Sequence, residues 1–129
     1  MKGLALGHAI SHVLGANYHI PHGRGCTVGL LCYVRASAEA CGGKFSELAW
    51  ALGGFEGEGG KDGGRSLLED VLLRLYRDLK LPSRLSDMNI PEGDLEKIAF
   101  EISTNVVNLA ANPVPLAERR ILVLLREFY

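Results

Sequence analysis

The feature that most constrains the fold of this 129-residue chain is the spacing of its apolar residues. They recur three and four positions apart in one segment after another, which is the period of an α-helix with one buried face. No segment alternates apolar and polar residues as a half-buried strand would. The pattern predicts an all-α fold, a bundle of about six helices that forms a single domain over residues 1–129.

Glycine, proline and polar capping residues predict where the helices begin and end. We expect helices over about 3–16, 24–40, 44–52, 67–79, 91–106 and 116–128. Gly15 suits the end of the first helix, the pair Gly42–Gly43 separates the second from the third, and Ser66 is the expected N-cap of the fourth. The buried faces of the last three helices should comprise Leu68, Val71, Leu72, Leu75 and Leu79, then Leu95, Ile98, Ala99, Ile102 and Val106, then Leu116, Ile121, Leu124, Leu125 and Phe128.

The segment Gly53–Gly64 contains seven glycines in twelve residues. A phosphate-binding loop would follow a strand and end in Gly-Lys-Ser or Gly-Lys-Thr, and neither feature is found around this segment. It is therefore expected to be a flexible connector between two helices.

Charge and composition exclude several classes of protein. The 14 basic and 15 acidic residues give a net charge of -1, which provides no general attraction to nucleic acid or to an anionic membrane. Residues 3–22 carry no charged side chain, but histidines and Pro21 interrupt them, so we expect neither a signal peptide nor a transmembrane helix. The cysteines Cys26, Cys32 and Cys41 are odd in number, which excludes a closed disulfide framework and favours the reducing cytoplasm.

All four histidines lie within fifteen residues, at His8, His12, His19 and His22. His8 and His12 are four residues apart and share one face of the first helix. This spacing suits two ligands of one metal ion, or one ligand beside an acid–base group. The segment lacks the glutamate that follows the first histidine in the zinc-protease helix. His22 lies at the start of the next helix, where the turn can bring it back to the first, and His19 is expected in an exposed loop.

The residues alone indicate an incomplete metal site. Cys26 follows His22 by four residues and could share its helical face, although an unpaired cysteine is more often a small buried apolar residue. The nearest carboxylate along the chain is Glu39. Because a metal site needs at least three protein ligands, an unrelated small metal-binding helical protein is one hypothesis that the residues leave open.

The run from Gly7 to Ala16, followed by Ile20-Pro21-His22-Gly23, resembles the histidine signature of iron-containing (group III) alcohol dehydrogenases. That signature reads G-H-A-x-x-H-x-x-G-A, then a short gap, then P-H-G. Residues 44–49, residues 81–85 and the pair Asn112-Pro113 agree with the family in order, so the resemblance covers essentially the whole chain.

The resemblance implies a fold, a reaction and roles for individual residues. The chain resembles the last third of such an enzyme, the helical part of the dehydroquinate synthase-like fold, and the N-terminal nucleotide-binding domain is absent from it. Members of the family hold Fe²⁺ or Zn²⁺ with one aspartate and three histidines and interconvert alcohols and aldehydes with NAD(P). By matching positions, His8 and His22 resemble two of the metal ligands, and His12 resembles the catalytic histidine that relays a proton beside the nicotinamide. The metal would act as a Lewis acid.

These implications predict the behaviour of the isolated chain. It is truncated relative to this family of oxidoreductases, so we expect it to bind no NAD(P), to hold a metal ion weakly through His8 and His22, and to show no dehydrogenase activity by itself. Submicromolar metal binding would indicate further ligands, from His12 or from a neighbouring chain. The alternative function is a stand-alone helical module for oligomerisation or partner docking, derived from the enzyme.

We also expect a homodimer. The uncharged first helix would pack against the missing domain in a full enzyme, so its apolar side should be uncovered here. That side comprises Leu4, Leu6, Ile10, Val13 and Leu14. A symmetric dimer would cover it, and a separate chain that supplies the missing domain is the other expected partner. Nucleic acid and membranes are not expected as partners.

Overall fold

The computed structural model of the chain describes residues 4–54 and 66–129. This part of the chain contains no strand and six α-helices, which are α1 (Ala5–Tyr18), α2 (His22–Ala51), α3 (Leu67–Asp78), α4 (Leu95–Ser103), α5 (Val106–Leu109) and α6 (Glu118–Glu127). Single turns of 3₁₀ helix at Ser86–Met88 and Glu92–Asp94 precede α4. The predicted all-α class is confirmed. Most of the connector predicted over Gly53–Gly64 lies outside the described residues, and no described helix is long and apolar enough to cross a membrane.

The first helix lies at the centre of the bundle. It packs along α2 and also contacts α4 and α5. Leu6, Ile10 and Leu14 are completely buried, and Leu4, at 63% exposure, is the exception on that side of the helix. The expectation that the apolar side of the first helix is uncovered was therefore wrong, because the chain's own later helices cover it.

Two asparagine side chains from the region around α5 satisfy the start of α1. The first N–H groups of a helix have no partner within the helix. Asn108 Oδ1 accepts from the Leu4 N–H at 3.1 Å, and Asn112 Oδ1 accepts from the Leu6 N–H at 2.9 Å. The segment around Asn112 separates α5 from α6 and also caps α1, the helix that carries two of the histidines.

The first helix ends at His19 rather than at Gly15. His19 adopts the left-handed conformation with φ of 54°, and its N–H donates to the Gly15 carbonyl at 3.2 Å. A left-handed residue after the last turn is the usual way to satisfy the final carbonyl groups of a helix. Gly15 lies inside the helix, so the predicted end was wrong.

The backbones of α1 and α2 touch because small residues occupy each point of contact. A Cβ atom on Gly29 would lie 2.4 Å from the Gly7 carbonyl oxygen, and one on Gly25 would lie 2.8 Å from Ser11 Oγ. Both distances are far inside van der Waals contact, so neither glycine can be replaced without moving the helices apart. The later residue of α2, Gly29, meets the earlier residue of α1, Gly7, and Gly25 meets Ser11, so the two helices are antiparallel.

Helix α2 continues through the glycine pair Gly42–Gly43, where we expected it to end. The ring centroids of Tyr33 and Phe45 nevertheless lie 6.3 Å apart. A straight helix would separate these two positions by about 18 Å, so α2 bends between them. Glycine pairs are a common cause of such bends. The predicted break is a bend, and the predicted short third helix is the last part of α2.

The true end of α2 is the next glycine pair, Gly53–Gly54. Gly53 has a φ of 86°, and its N–H donates to the Trp50 carbonyl at 3.0 Å. The Gly54 N–H donates to the Ala49 carbonyl at 2.8 Å. This pair of hydrogen bonds is the Schellman motif, which needs a residue that tolerates positive φ.

Helix α3 begins as predicted, with the Ser66 hydroxyl accepting from the Glu69 N–H at 3.2 Å. Its buried stripe continues from Leu68 and Leu72 to Tyr76, whose hydroxyl donates to a backbone carbonyl of α2 at 3.1 Å. The predicted members Leu75 and Leu79 are 41% and 58% exposed. That part of the prediction was wrong, because the buried side of α3 comprises Leu68, Glu69, Val71, Leu72 and Tyr76, and Leu75 and Leu79 lie outside it.

A buried ion pair joins α2, α3 and α6. Arg35 makes two hydrogen bonds to the carboxylate of Glu69, which is 1% exposed, and donates to Glu127 at 3.0 Å. The guanidinium also lies 5.1 Å from the ring centroid of Phe128. The Glu69 side chain raises the pKa of Arg35 and keeps it charged. The paired fork satisfies a carboxylate that could not be buried alone.

The predicted helix over 91–106 ends early. Helix α4 stops at Ser103, and the Asn105 side chain accepts from the Asn108 N–H at 3.4 Å to cap the short helix α5. Val106 is 67% exposed, so its assignment to the core was wrong. Asparagine offers the backbone a local alternative to continued helix, which explains the interruption. The predicted core residues of α4 and α6 are otherwise buried, apart from the half-buried Leu116.

The glycine contact predicts a large difference between two similar substitutions. Gly29→Ala should lower the free energy of unfolding by about 1–3 kcal/mol, because its methyl group would overlap the backbone of α1. Gly23→Ala in the same helix meets nothing within 4 Å and should be neutral or stabilising by up to about 1 kcal/mol. Urea denaturation followed by circular dichroism measures both. Equal stability of the two variants would contradict the contact.

Candidate metal centre

Three of the four histidines meet where α2 begins against the middle of α1. Their ligand atoms, from His8, His12 and His22, all lie within 4.8 Å of one another. The ring centroids are 4.0 Å apart for His8 and His12, 4.9 Å for His8 and His22, and 5.8 Å for His12 and His22. Within residues 4–54 and 66–129, this is the one group of three or more metal-ligating side chains that comes together.

The local sequence explains how the rings come together. His8 and His12 lie one turn apart on α1 and project from the same face. Pro21 precedes α2 in an extended conformation, with φ of -54° and ψ of 135°, so the helix starts at His22. The left-handed residue His19 and Pro21 reverse the chain within three residues. The close glycine contacts between α1 and α2 then bring His22 to the other two rings.

Ser11 determines which nitrogen of His22 faces the cluster. The Ser11 hydroxyl donates its one proton to the His22 carbonyl oxygen at 2.7 Å. Its oxygen lies 3.0 Å from His22 Nδ1 and can therefore only accept from that nitrogen. His22 is thus protonated at Nδ1, and the lone pair of Nε2 is free. Metal-binding histidines commonly donate their other nitrogen in this way, which fixes the tautomer and the ring orientation.

The surroundings of His8 favour its uncharged form. Loss of hydration lowers the pKa of His8 below its usual value, and the nearby His12 and His22 lower it further. His8 is half-buried, whereas His12 and His22 are exposed. Neutral imidazole is the form that binds a metal ion. The lowered pKa of His8 therefore favours its role as a metal ligand.

A cavity of about 580 Å³ opens beside the cluster. His8 and Cys26 contribute to its wall, together with Leu30 and Tyr33 and small residues of α1. Cys26 Sγ lies 3.4 Å from His22 Nε2, the nitrogen with the free lone pair. The cavity therefore combines an apolar wall with nitrogen and sulfur donors at one end.

The structure brings together the three histidines that the sequence singled out and leaves one outside. His19 is exposed at the end of α1, as expected, and takes no part in the cluster. Cys26 is only partly buried, and it lies beside His22 rather than in the core. Ser11 was missed. The one signal for it is its position next to His12, because nothing in the sequence shows that α2 approaches so closely.

Comparison with known proteins agrees with the helical bundle. A family model described as the C-terminal part of the Fe-containing alcohol dehydrogenase family matches residues 1–129. The chain belongs to this family. It corresponds to the C-terminal portion of the family's members, as the histidine signature predicted.

Two curated relatives and one solved structure illustrate the match. Long-chain-alcohol dehydrogenase 1 of Geobacillus thermodenitrificans is 31% identical over 117 residues, which are 90% of this chain and 29% of that protein. Lactaldehyde reductase of Escherichia coli (strain K12) is 31% identical over 98 residues, or 75% of this chain and 25% of the other. NADH-dependent butanol dehydrogenase A of Thermotoga maritima has a TM-score of 0.76 at 26% identity, covering 95% of this chain and 32% of that one. The chain spans less than a third of each.

The Ser11 hydrogen bonds predict a measurable change in His22. In Ser11→Ala the Nδ1–H loses its acceptor, so His22 should change from one tautomer to a mixture of two. Nitrogen-15 NMR of the imidazole rings in the metal-free protein reports the tautomer directly. Ser37→Ala is the matched control, because the buried Ser37 hydroxyl has no hydrogen-bond partner. An unchanged His22 spectrum in Ser11→Ala would show that Ser11 does not orient the ring.

Proposed function

We propose that the chain is the metal-binding portion of an NAD(P)-dependent oxidoreductase that interconverts alcohols and aldehydes. The observation that carries the proposal is the convergence of three imidazole rings, one of which, His8, borders a largely apolar cavity. Membership of the Fe-containing alcohol dehydrogenase family supports the reaction class. The names of the relatives, which include alcohol dehydrogenases and a lactaldehyde reductase, agree with it.

The donor set fits Fe²⁺ or Zn²⁺. Imidazole nitrogen suits both ions, and the free lone pair on His22 Nε2 is the form that a ligand requires. His8 and His22 are the proposed ligands. When bound, the ion would supply Lewis acidity toward an alcohol oxygen, and a nicotinamide cofactor would accept the hydride. The further ligands that the family uses would come from another part of the protein or from a separate chain.

His12 is the proposed catalytic residue of this chain. Its ring centroid lies 4.0 Å from that of His8, so it is next to the proposed ligands, and it is exposed. An exposed imidazole can accept a proton from a reacting alcohol and pass it to water. The tighter packing of His8 and the hydrogen bonds of His22 suit those two rings to binding rather than to proton transfer.

The cavity suits the apolar part of an alcohol. Leu30 and Tyr33 line it on α2, and Leu4 and Ala5 line it on α1. No Asp, Glu, Lys or Arg side chain borders it among the described residues. A small or extended alkyl group could therefore lie along this wall with its oxygen toward the histidines, as ligand pockets with few polar groups usually hold their ligands.

We propose that the protein is cytoplasmic. We also propose that it functions together with a second polypeptide unit, the nucleotide-binding part. The thiols of Cys26, Cys32 and Cys41 are free, which suits a reducing compartment. The nucleotide-binding part of the enzyme must be present for NAD(P) chemistry, whether it is joined to this sequence or supplied by a separate chain. The isolated 129 residues are expected to give no turnover.

A chimera tests the proposed function. The matched C-terminal part of the Geobacillus relative is replaced by this chain, and reduction of NAD(P) is followed with a panel of primary alcohols. Activity is expected, and His8→Ala or His22→Ala should lower it by about a hundredfold or more as metal is lost. His12→Ala should lower kcat by about a hundredfold through loss of proton transfer.

His19→Asn is the matched control for the chimera, because His19 lies outside the cluster and asparagine tolerates its left-handed backbone. It should leave the rate unchanged. A folded chimera that binds metal but oxidises no alcohol would contradict the proposed reaction.

The alternative function is a helical module for oligomerisation or docking. It requires a surface other than the apolar side of α1, which was the surface expected from the sequence. The apolar side of α1 is buried within the chain, so it is not available for association. The large apolar side chains that remain about half exposed include Leu48, Trp50 and Leu52 near the end of α2. We propose that the homodimer forms through this end of the molecule.

Light scattering after size exclusion tests the dimer. The proposal predicts a mass of twice the 14.0 kDa monomer at tens of micromolar protein, and Trp50→Glu should return it to the monomer. Lys44→Glu, an exposed change of charge on the same helix, is the control. A monomer at all concentrations would contradict the dimer and would leave the docking of a separate chain as the form of the alternative.

A further inference from the structure

We infer that Cys26 is a metal ligand, and that with the three imidazoles of His8, His12 and His22 it gives this chain a complete site of three nitrogens and one sulfur for Zn²⁺. The inference rests on the proposed function in one respect, that His8 and His22 bind metal. It goes further in two respects, the thiolate ligand and the preference for zinc that a thiolate brings.

The position of the Cys26 sulfur supports the inference. Sγ lies 3.4 Å from His22 Nε2. With Zn–S near 2.3 Å and Zn–N near 2.0–2.1 Å, a tetrahedral ion separates its sulfur and nitrogen ligands by about 3.6 Å. The pair is in hydrogen-bond contact and lies within about 0.2 Å of the spacing that one shared ion requires. The sulfur and the rings of His8 and His12 would have to move closer together to share that ion. Helix α2 sets this spacing, because residues four apart lie on the same face.

The orientation of His22 agrees with a shared ion. Ser11 accepts the Nδ1 proton, so the Nε2 atom next to the sulfur has a free lone pair. The only proton to be displaced between Sγ and Nε2 is the thiol proton. On metal binding the S–H bond would break, the sulfur would bind the ion as a thiolate, and the proton would pass to solvent.

The remaining two ligands come from α1. The nitrogens of His8, His12 and His22 lie within 4.8 Å of one another, whereas a tetrahedral ion separates its nitrogen ligands by about 3.3 Å. The rings of His8 and His12 therefore close on the ion by rotation of their side chains, which have room because His12 is exposed and His8 borders a cavity. His12 supplies the third nitrogen when no other part of a protein supplies ligands.

This four-donor set changes the expected affinity of the chain. Two histidines alone predict weak binding, but three nitrogens and a thiolate give the four nitrogen and sulfur donors that a closed tetrahedral zinc site needs. The other two cysteines offer no such site. Cys32 is completely buried, and burial raises the pKa of its thiol. Cys41 is partly exposed on α2, as Cys26 is, but lies nineteen residues beyond His22.

Cobalt spectroscopy and zinc calorimetry on the reduced 129-residue chain test the inference. Co²⁺ should bind one to one and produce a thiolate-to-cobalt charge-transfer band together with the strong visible bands of tetrahedral cobalt. Zn²⁺ should displace it with submicromolar affinity. Cys26→Ser should abolish the charge-transfer band and weaken Zn²⁺ binding by about tenfold or more, and His12→Ala should weaken it similarly.

Cys41→Ser is the matched control and should keep both the band and the affinity. Circular dichroism establishes that each variant is folded, and Cys26→Ala provides a second variant that cannot bind through oxygen. Metal binding that depends on His8 and His22 but shows no thiolate band, or that is unchanged in Cys26→Ser, would overturn the inference and leave the proposed function intact. Absence of submicromolar binding would also overturn it, because the proposed function by itself requires only weak binding by this chain.

Discussion

The backbone contact between α1 and α2 is the constraint on which the candidate site depends. Gly29 lies against Gly7, and Gly25 lies against Ser11, at distances that exclude any side chain. This approach is what allows a short serine side chain to reach the backbone and ring of His22. If the helices were separated by the width of one methyl group, Ser11 would lose His22, and His22 would move away from His8 and His12. The glycines therefore determine chemistry as well as packing.

The opposite side of α2 is held by a different kind of interaction. Arg35 pairs with the buried Glu69 and with Glu127, and so connects α2 to α3 and α6. A buried pair of this kind often adds little net stability compared with apolar residues of the same size, but removal of one partner is costly. Here the pair joins a residue of α2 to a buried carboxylate of α3, so it favours the arrangement in which those two helix faces meet. Helix α2 is thus fixed on one side by close steric fit and on another by charge.

The three histidines of the site differ in their exposure to solvent. Loss of hydration lowers the pKa of His8, and the nearby His12 and His22 lower it further. His12 and His22 themselves remain exposed to solvent and to any other part of the protein that supplies ligands. The Nε2 atom of His22 lies 3.4 Å from the Cys26 sulfur, and the His22 ring centroid lies 4.9 Å from that of His8. A hydrogen-bonded imidazole with a fixed orientation is the arrangement commonly found for metal-binding histidines.

The amino-acid sequence by itself determined the helical class, the N-cap at Ser66, most of the core residues and the three histidines of the site, because these depend on local spacing and on short motifs. It misplaced the ends of α1 and α2, since Gly15 and Gly42 lie in helices while the left-handed positions fall at His19 and Gly53. Only the tertiary structure decided that α1 is covered, that Glu69 is buried, and that Ser11 and Cys26 lie beside His22. Each of these depends on a partner distant in sequence or on how closely two helices approach, and a local pattern contains no information about either.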